Sequence, residues 1–296
     1  MTIRNLLLAV LGTALALAAG LLGYRLVTGL EPLPATPALW RISDAQGHEG
    51  WLLGTIHSAP APLAWHSPKL DAAFAKAGTV LVEVANLRDD AALSATFARL
   101  ARTSGQPPLS QRVPARDRPA LAALLAREGF SDNQFGETQT WAAALTLANA
   151  ASADDNAANG VDRAVLAAAP PRPVVELEGA EKQLSLFAAL PEREQRDLLS
   201  AIVHEAQALS DTDLTQAWRK GDVAAIAAQT HTGLLADPEL RAALYTGRNR
   251  AWAPRIASAV HAGQRPFVAV GAAHMVGSDG LVALLRAQGF AVRRVQ

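Results

Sequence analysis

Gly50-Trp51-Leu52-Leu53-Gly54-Thr55-Ile56-His57-Ser58 is an apolar run that meets a glycine and, three positions later, a histidine. The same order returns near the far end of the chain as Val268-Ala269-Val270-Gly271-Ala272-Ala273-His274. A short apolar run of this kind reads as a buried strand. The glycine at its end lets the backbone turn sharply, and the imidazole is left at the mouth. Two such histidines, one from each end of the chain, suggest a single site built from both.

Two further apolar runs lie between them and close on a carboxylate: Thr79-Val80-Leu81-Val82-Glu83 and Val174-Val175-Glu176-Leu177-Glu178. With all four runs as parallel strands, their last residues gather along one edge, where open α/β sheets place their ligands. That edge carries His57, Glu83, Glu178 and His274. The expected fold is α/β, a mostly parallel central sheet with flanking helices and an α-helical insertion.

Composition narrows the chemistry. The chain has 296 residues, 50% apolar and 18% charged, enough for a substantial core. Its 27 basic residues balance 27 acidic ones, so no global field attracts nucleic acid, and a nucleic-acid partner is not expected. Cysteine is absent, which excludes disulfides, iron–sulfur clusters and thiolate zinc sites. Any metal site must use histidine and carboxylate, a donor set suited to zinc, manganese or cobalt.

Arg4 followed by the uncharged stretch Leu6 to Leu22 has the layout of a secretory signal or signal anchor over residues 1–30. About 17 apolar residues are just short of a comfortable membrane span. Small residues at Ala14, Ala16 and Ala18 offer a cleavage site, but the chain stays apolar past them, which favours an uncleaved anchor. A single-pass, periplasm-facing location follows, or a periplasmic one if the signal is cleaved. Residues 31–39, with Pro32, Pro34 and Pro37, read as a stiff linker, and residues 40–296 as the folded domain.

Within that domain, residues 40–43 and 51–55 flank a turn at Asp44-Ala45-Gln46-Gly47 and predict a hairpin. Helical spacing recurs over residues 69–76, 89–102, 119–128, 140–151, 181–190, 191–209, 213–220, 223–230, 238–261 and 281–288. The polar cluster Tyr245-Thr246-Gly247-Arg248-Asn249-Arg250 interrupts one of them. Arg248 suits a carboxylate or oxyanion and Asn249 its orientation, though the residue types also fit a solvated helix start. His48, His204, His231 and His261 have no ligand-like context and are assigned to the surface or to satisfied pockets, while His66 sits on a loop that could approach the site but is assigned to solvent. Trp65, Trp141 and Met275 suit either a peptide cleft or the core. No Gly-x-Ser-x-Gly elbow, phosphate-binding loop, dinucleotide fingerprint or His-Glu-x-x-His helix is present.

Leu52 to His57, Leu81-Val82-Glu83, Val175 to Glu178 with Gln183 following, Tyr245 to Asn249, and Val268 through Gly280 together resemble the TraB/GumN family, which is similar to the animal Tiki proteins. The resemblance runs from about Trp40 to the C-terminus. It implies an α/β fold of TraB/Tiki/ChaN type, with two Gly-x-x-His motifs and glutamates around one site. It also implies a divalent-metal hydrolase, since Tiki relatives are manganese- or cobalt-dependent surface peptidases and TraB-like members are linked to peptide pheromone shutdown.

Carried over by position, His57, Glu83 and His274 are expected to bind the metal. Glu178 is expected to act as base and Arg248 with Asn249 to hold the oxyanion; the family leaves open which glutamate is ligand and which is base. The expected partners are a peptide or protein substrate and, through the N-terminus, the membrane. ChaN-type relatives bind haem, so a non-catalytic protein sequestering a peptide or haem is the competing expectation. A third is that both histidines are structural and the helical insertion is a docking surface.

Overall fold

A computed structural model describes residues 33–59, 61–152, 157–206 and 214–296. The expected signal segment, residues 1–30, lies outside the described residues, as do the end of the helix expected over 191–209 and the first residue of that expected over 213–220.

Strand β1 is Leu33–Pro34, β2 Leu39–Ser43, β3 Glu49–Thr55, β4 Leu63–Ala64, β5 Thr79–Val82, β6 Val174–Glu176, β7 Pro266–Gly271 and β8 Ala291–Arg294. Six of them form one sheet in the order β6-β5-β7-β3-β2-β8, while β1 and β4 pair separately. The four runs read as strands are those of the parallel half: β6 with β5, β5 with β7, and β7 with β3. All residues of β7 and β5 are buried, as is β3 from Gly50 onward, as a sheet covered on both faces requires. β7, the last of these four in sequence, therefore sits between β5 and β3.

The hairpin forms as expected, with Trp40 opposite Leu52. Asp44 shapes its turn by accepting from the backbone N–H groups of Gln46 and His48 at 3.0 and 2.9 Å, and Gly47 supplies a φ of +87°. β8 closes the far edge antiparallel to β2.

Two features go beyond the expectation. Residues 33–39 are packed onto the fold: β1 pairs with β4, Arg219 donates to the carbonyl of Pro34, Gln296 donates to that of Pro37, and Ala38 and Leu39 are buried. A helix that periodicity did not single out, Val161–Ala168, buries Val161, Val165 and Leu166. Its eight residues are too few for a strong periodic signal.

The helices Asp90–Ala101, Arg118–Glu128 and Thr140–Ala151 form a layer with Glu192–Glu205. Its seam is polar at one end, where Trp141 N–H donates to Gln195 Oε1 at 3.0 Å. Trp141, Trp65 and Met275 are core residues with at most 5% of their surface exposed, so none lines an open cleft.

Candidate active site

Gly54 is held in the sheet opposite Val270, and its carbonyl accepts from the buried indole N–H of Trp218 at 2.6 Å. The expected reason for this glycine was a sharp turn, but it is not among the residues with positive φ. Its role is close approach instead. A Cβ there would lie 2.7 Å from Cα and 2.9 Å from Cβ of Ala272, the first residue of the 3-10 turn Ala272–Met275 that carries His274. Gly54 thus lets the two Gly-x-x-His segments lie against each other. Gly54→Ala is expected to cost about 2–3 kcal/mol, because backbone must shift to admit the methyl; urea denaturation measures it.

Beyond β3 the chain delivers His57, which is 3% exposed. The helix Val161–Ala168 docks directly on this turn. Val161 N–H donates to the carbonyl of Ile56 at 2.8 Å, and a Cβ at Gly160 would lie 2.4 Å from the carbonyl oxygen of His57. That contact brings Asp162 Oδ2 to 2.8 Å from His57 Nδ1. A carboxylate only accepts, so Nδ1 carries a proton, and in the neutral form of the ring the lone pair is on Nε2. Asp162 is the site residue that the sequence reading missed. Its signal was a carboxylate in the first turn of a short amphipathic segment after Gly160.

Glu83 follows β5 and meets only donors. Its Oε1 accepts from Gly271 N–H at 2.8 Å, and its Oε2 from Arg248 Nη2 at 2.5 Å and Gln183 Nε2 at 3.2 Å. Burial pushes its pKa up, but the charge of Arg248 and the other donors outweigh burial and hold it at about 2. Glu178 lies just past β6. Its backbone N–H donates to the carbonyl of Glu83 at 3.2 Å, and both its side-chain oxygens meet Arg248, at 2.9 to 3.1 Å.

Arg248 and Asn249 come from the helix Gly247–His261, entered through a π-helical segment, Ala242–Thr246. Wide turns of this kind recur at functional sites. Here the interruption expected at the polar cluster is a change of helix type rather than a break, and both residues are buried instead of forming a solvated helix start.

Asn249 Nδ2 donates to the carbonyl of Asp279 at 2.8 Å, which assigns its Oδ1 as acceptor for His274 Nδ1 at 2.6 Å. Tyr245 stacks on His274 at 5.5 Å and Trp252 contacts it at 4.6 Å. Arg248 Nη1 lies 3.3 Å from His274 Nε2 and donates to it. Burial, and then the adjacent Arg248, lower the His274 pKa to about 3, so the ring is neutral. Asn249 therefore orients His274. The expected role at the oxyanion is displaced, since both ends of its amide are engaged.

Thr55, His57, Glu83, Asp162 and Ala269 line a small cavity at this edge, with room for about one water molecule. The donor chemistry fits a divalent ion: two imidazoles, each held at Nδ1 by a buried partner, and one ionised carboxylate. Their spacing is wider than a closed coordination shell. Among the described residues, the group of three such donors drawn within 4.8 Å of one another is Glu194, Asp237 and Glu239, in the helical layer. At the sheet edge Arg248 stands between the expected ligands.

The histidines expected at the surface are there: His66 pairs with Asp71, His204 with Asp117, and His48 and His261 share Asp44, while His231 is exposed.

A model of the TraB/PrgY/gumN family matches residues 38–294, from the start of the hairpin to the last strand. The chain belongs to the TraB/PrgY/gumN family. Comparison with curated proteins and with solved structures returned no match. In this family member the two Gly-x-x-His motifs are neighbours in the sheet, and the glutamates after β5 and β6 share one arginine.

Proposed function

We propose that this TraB/PrgY/gumN protein is an envelope-located, metal-dependent hydrolase that cleaves peptide bonds. One observation carries the chemistry: the histidines of both motifs are buried and anchored at Nδ1, His57 by Asp162 and His274 by Asn249. This is the buttressing that ligating histidines require. The peptide substrate is inferred from the resemblance to Tiki peptidases, and the envelope location from the N-terminal sequence.

His57, Glu83 and His274 would hold a manganese, cobalt or zinc ion, which would supply Lewis acidity and a water acidic enough to attack near neutral pH. Asp162 and Asn249 keep the imidazoles in the required tautomer. Glu178 Oε1, which takes a single 3.1 Å bond from Arg248 Nε, keeps a lone pair and is the atom assigned to take the proton of the attacking water and pass it to the amine that leaves as the peptide C–N bond breaks. The Arg248 guanidinium faces the developing oxyanion, a contribution of about 3 kcal/mol for a well-aimed donor. The cavity, with room for about one water molecule, disfavours a bound haem.

Metal content decides the proposal. The full-length chain, purified without chelator and reloaded with manganese, cobalt or zinc, should carry stoichiometric metal that the His57→Ala, His274→Ala double variant lacks. Equal, negligible metal in both would overturn it. Metal binding without turnover on any peptide would point to sequestration instead. At saturating metal, Glu178→Gln is expected to lower kcat by about 10²–10⁴-fold, the usual contribution of a positioned base, with metal content unchanged.

A further inference from the structure

Arg248 directs its guanidinium at the acceptors that a cation at this edge needs. Nη2 is 2.5 Å from Glu83 Oε2, and Nη1 is 3.3 Å from His274 Nε2. The side chains of Arg248, Glu83 and Glu178 are at most 3% exposed, so these contacts are made out of water. A lone pair that accepts from an N–H is not available to a metal, and two cations a few ångströms apart in such a medium repel strongly. A divalent ion and the guanidinium therefore compete for Glu83 and His274.

The guanidinium has a second berth. Glu178 already takes Nε and Nη2 on its two oxygens at 2.9 to 3.1 Å, and the carbonyl of Leu244 lies 3.4 Å from Nη1. Trp252 lies beneath the group, 4.6 Å from its central carbon to the ring centroid, a flat face over which a cation can shift while keeping its attraction to the ring. Giving up Glu83 leaves Arg248 paired with Glu178, and the incoming metal neutralises Glu83. The group carries one net negative charge with the arginine alone and one net positive charge once a divalent ion joins it, and each carboxylate keeps a cationic partner in both arrangements.

We propose that Arg248 is a displaceable internal cation. It holds the site together in the metal-free protein and withdraws onto Glu178 when a divalent metal takes Glu83 and His274. This rests on the metal reading above and adds to it a mode of loading. The protein folds without metal, because the arginine satisfies the buried carboxylates, and it acquires the ion afterwards against a competitor built into its own sequence.

The test compares Mn²⁺ binding by the full-length chain with that by Arg248→Ala, by calorimetry and by thermal melting. With the competitor gone, Mn²⁺ should bind the variant at least about tenfold more tightly, or about 1.4 kcal/mol. Methylguanidinium should refill the vacated position: it should raise the melting temperature of Arg248→Ala but not of the parent, and it and Mn²⁺ should displace each other. If Arg248→Ala does not stay folded alone, its recovery by either cation, without additive stabilisation by both, is the same result.

Equal or weaker Mn²⁺ binding by the folded variant, independent binding of the two cations, or an unfolded variant that neither cation recovers would overturn the proposal. The two levels of inference separate cleanly. Mn²⁺ binding that is lost in the double histidine variant yet indifferent to Arg248 removes only the displacement step. No binding by either protein removes the metal reading with it.

Discussion

Glu83→Gln is expected to unfold the metal-free protein more easily by about 3–5 kcal/mol, the usual cost of removing one partner from a buried ion pair. The reason lies in the acceptors and donors. Gly271 N–H, Arg248 Nη2 and Gln183 Nε2 all donate to Glu83, so an amide must turn its own NH₂ against one of them whichever way it is flipped. Arg248 then keeps Glu178 as its only carboxylate partner among its described contacts. For a domain of this size the loss corresponds to a fall in Tm of roughly 10 °C, readable by calorimetry. The same substitution should abolish stoichiometric metal, because an amide oxygen is a poor replacement for an anionic ligand at a divalent ion. A Glu83→Gln protein that melts with the parent and keeps its metal would remove Glu83 from the centre of the site.

Stability of the metal-free protein should fall steeply below neutral pH, with His274 as the main cause down to about pH 4.5. His274 has a folded pKa of about 3 against an ordinary 6.5, through burial and the charge of Arg248. The native state therefore binds fewer protons than the unfolded chain. Its contribution is complete above pH 6.5 and is lost as the pH falls towards 3. Glu83 has the same sign in a lower window: complete above 4.5, lost towards 2. Each pH unit in the His274 window is worth about 1.4 kcal/mol, so going from pH 6.5 to pH 4.5 should cost on the order of 3 kcal/mol. His274→Gln should be less stable at pH 7 but nearly flat between pH 6.5 and 4.5. An unchanged slope in that variant would place the acid sensitivity elsewhere.

Four parallel strands and the edge they share were legible in the sequence because each strand is a nearly unbroken apolar run ending at a glycine or a carboxylate. Burial on both faces forces that composition in β3, β5 and β7, while β6 is an edge strand with Val175 exposed, so its apolar run reflects pairing rather than full burial. Their spatial order was not legible. β7 enters between β5 and β3 through pairings with residues far from it in sequence, and no local pattern encodes which partner it takes. Asp162 was missed for a related reason. Its helix is short, and its value to the site comes from a contact with the turn at His57, about a hundred positions earlier in the chain.

The sequence by itself determined the fold class, the absence of thiolate chemistry and the gathering of His57, Glu83, Glu178 and His274 at one edge, all consequences of residue type and strand periodicity. Only the tertiary structure decided what those groups do to one another. It placed Asn249 on His274, Asp162 on His57, and a single guanidinium between two buried carboxylates. Protonation states and hydrogen-bond partners depend on distances and on exclusion of water, and neither exists until the chain has closed around the site.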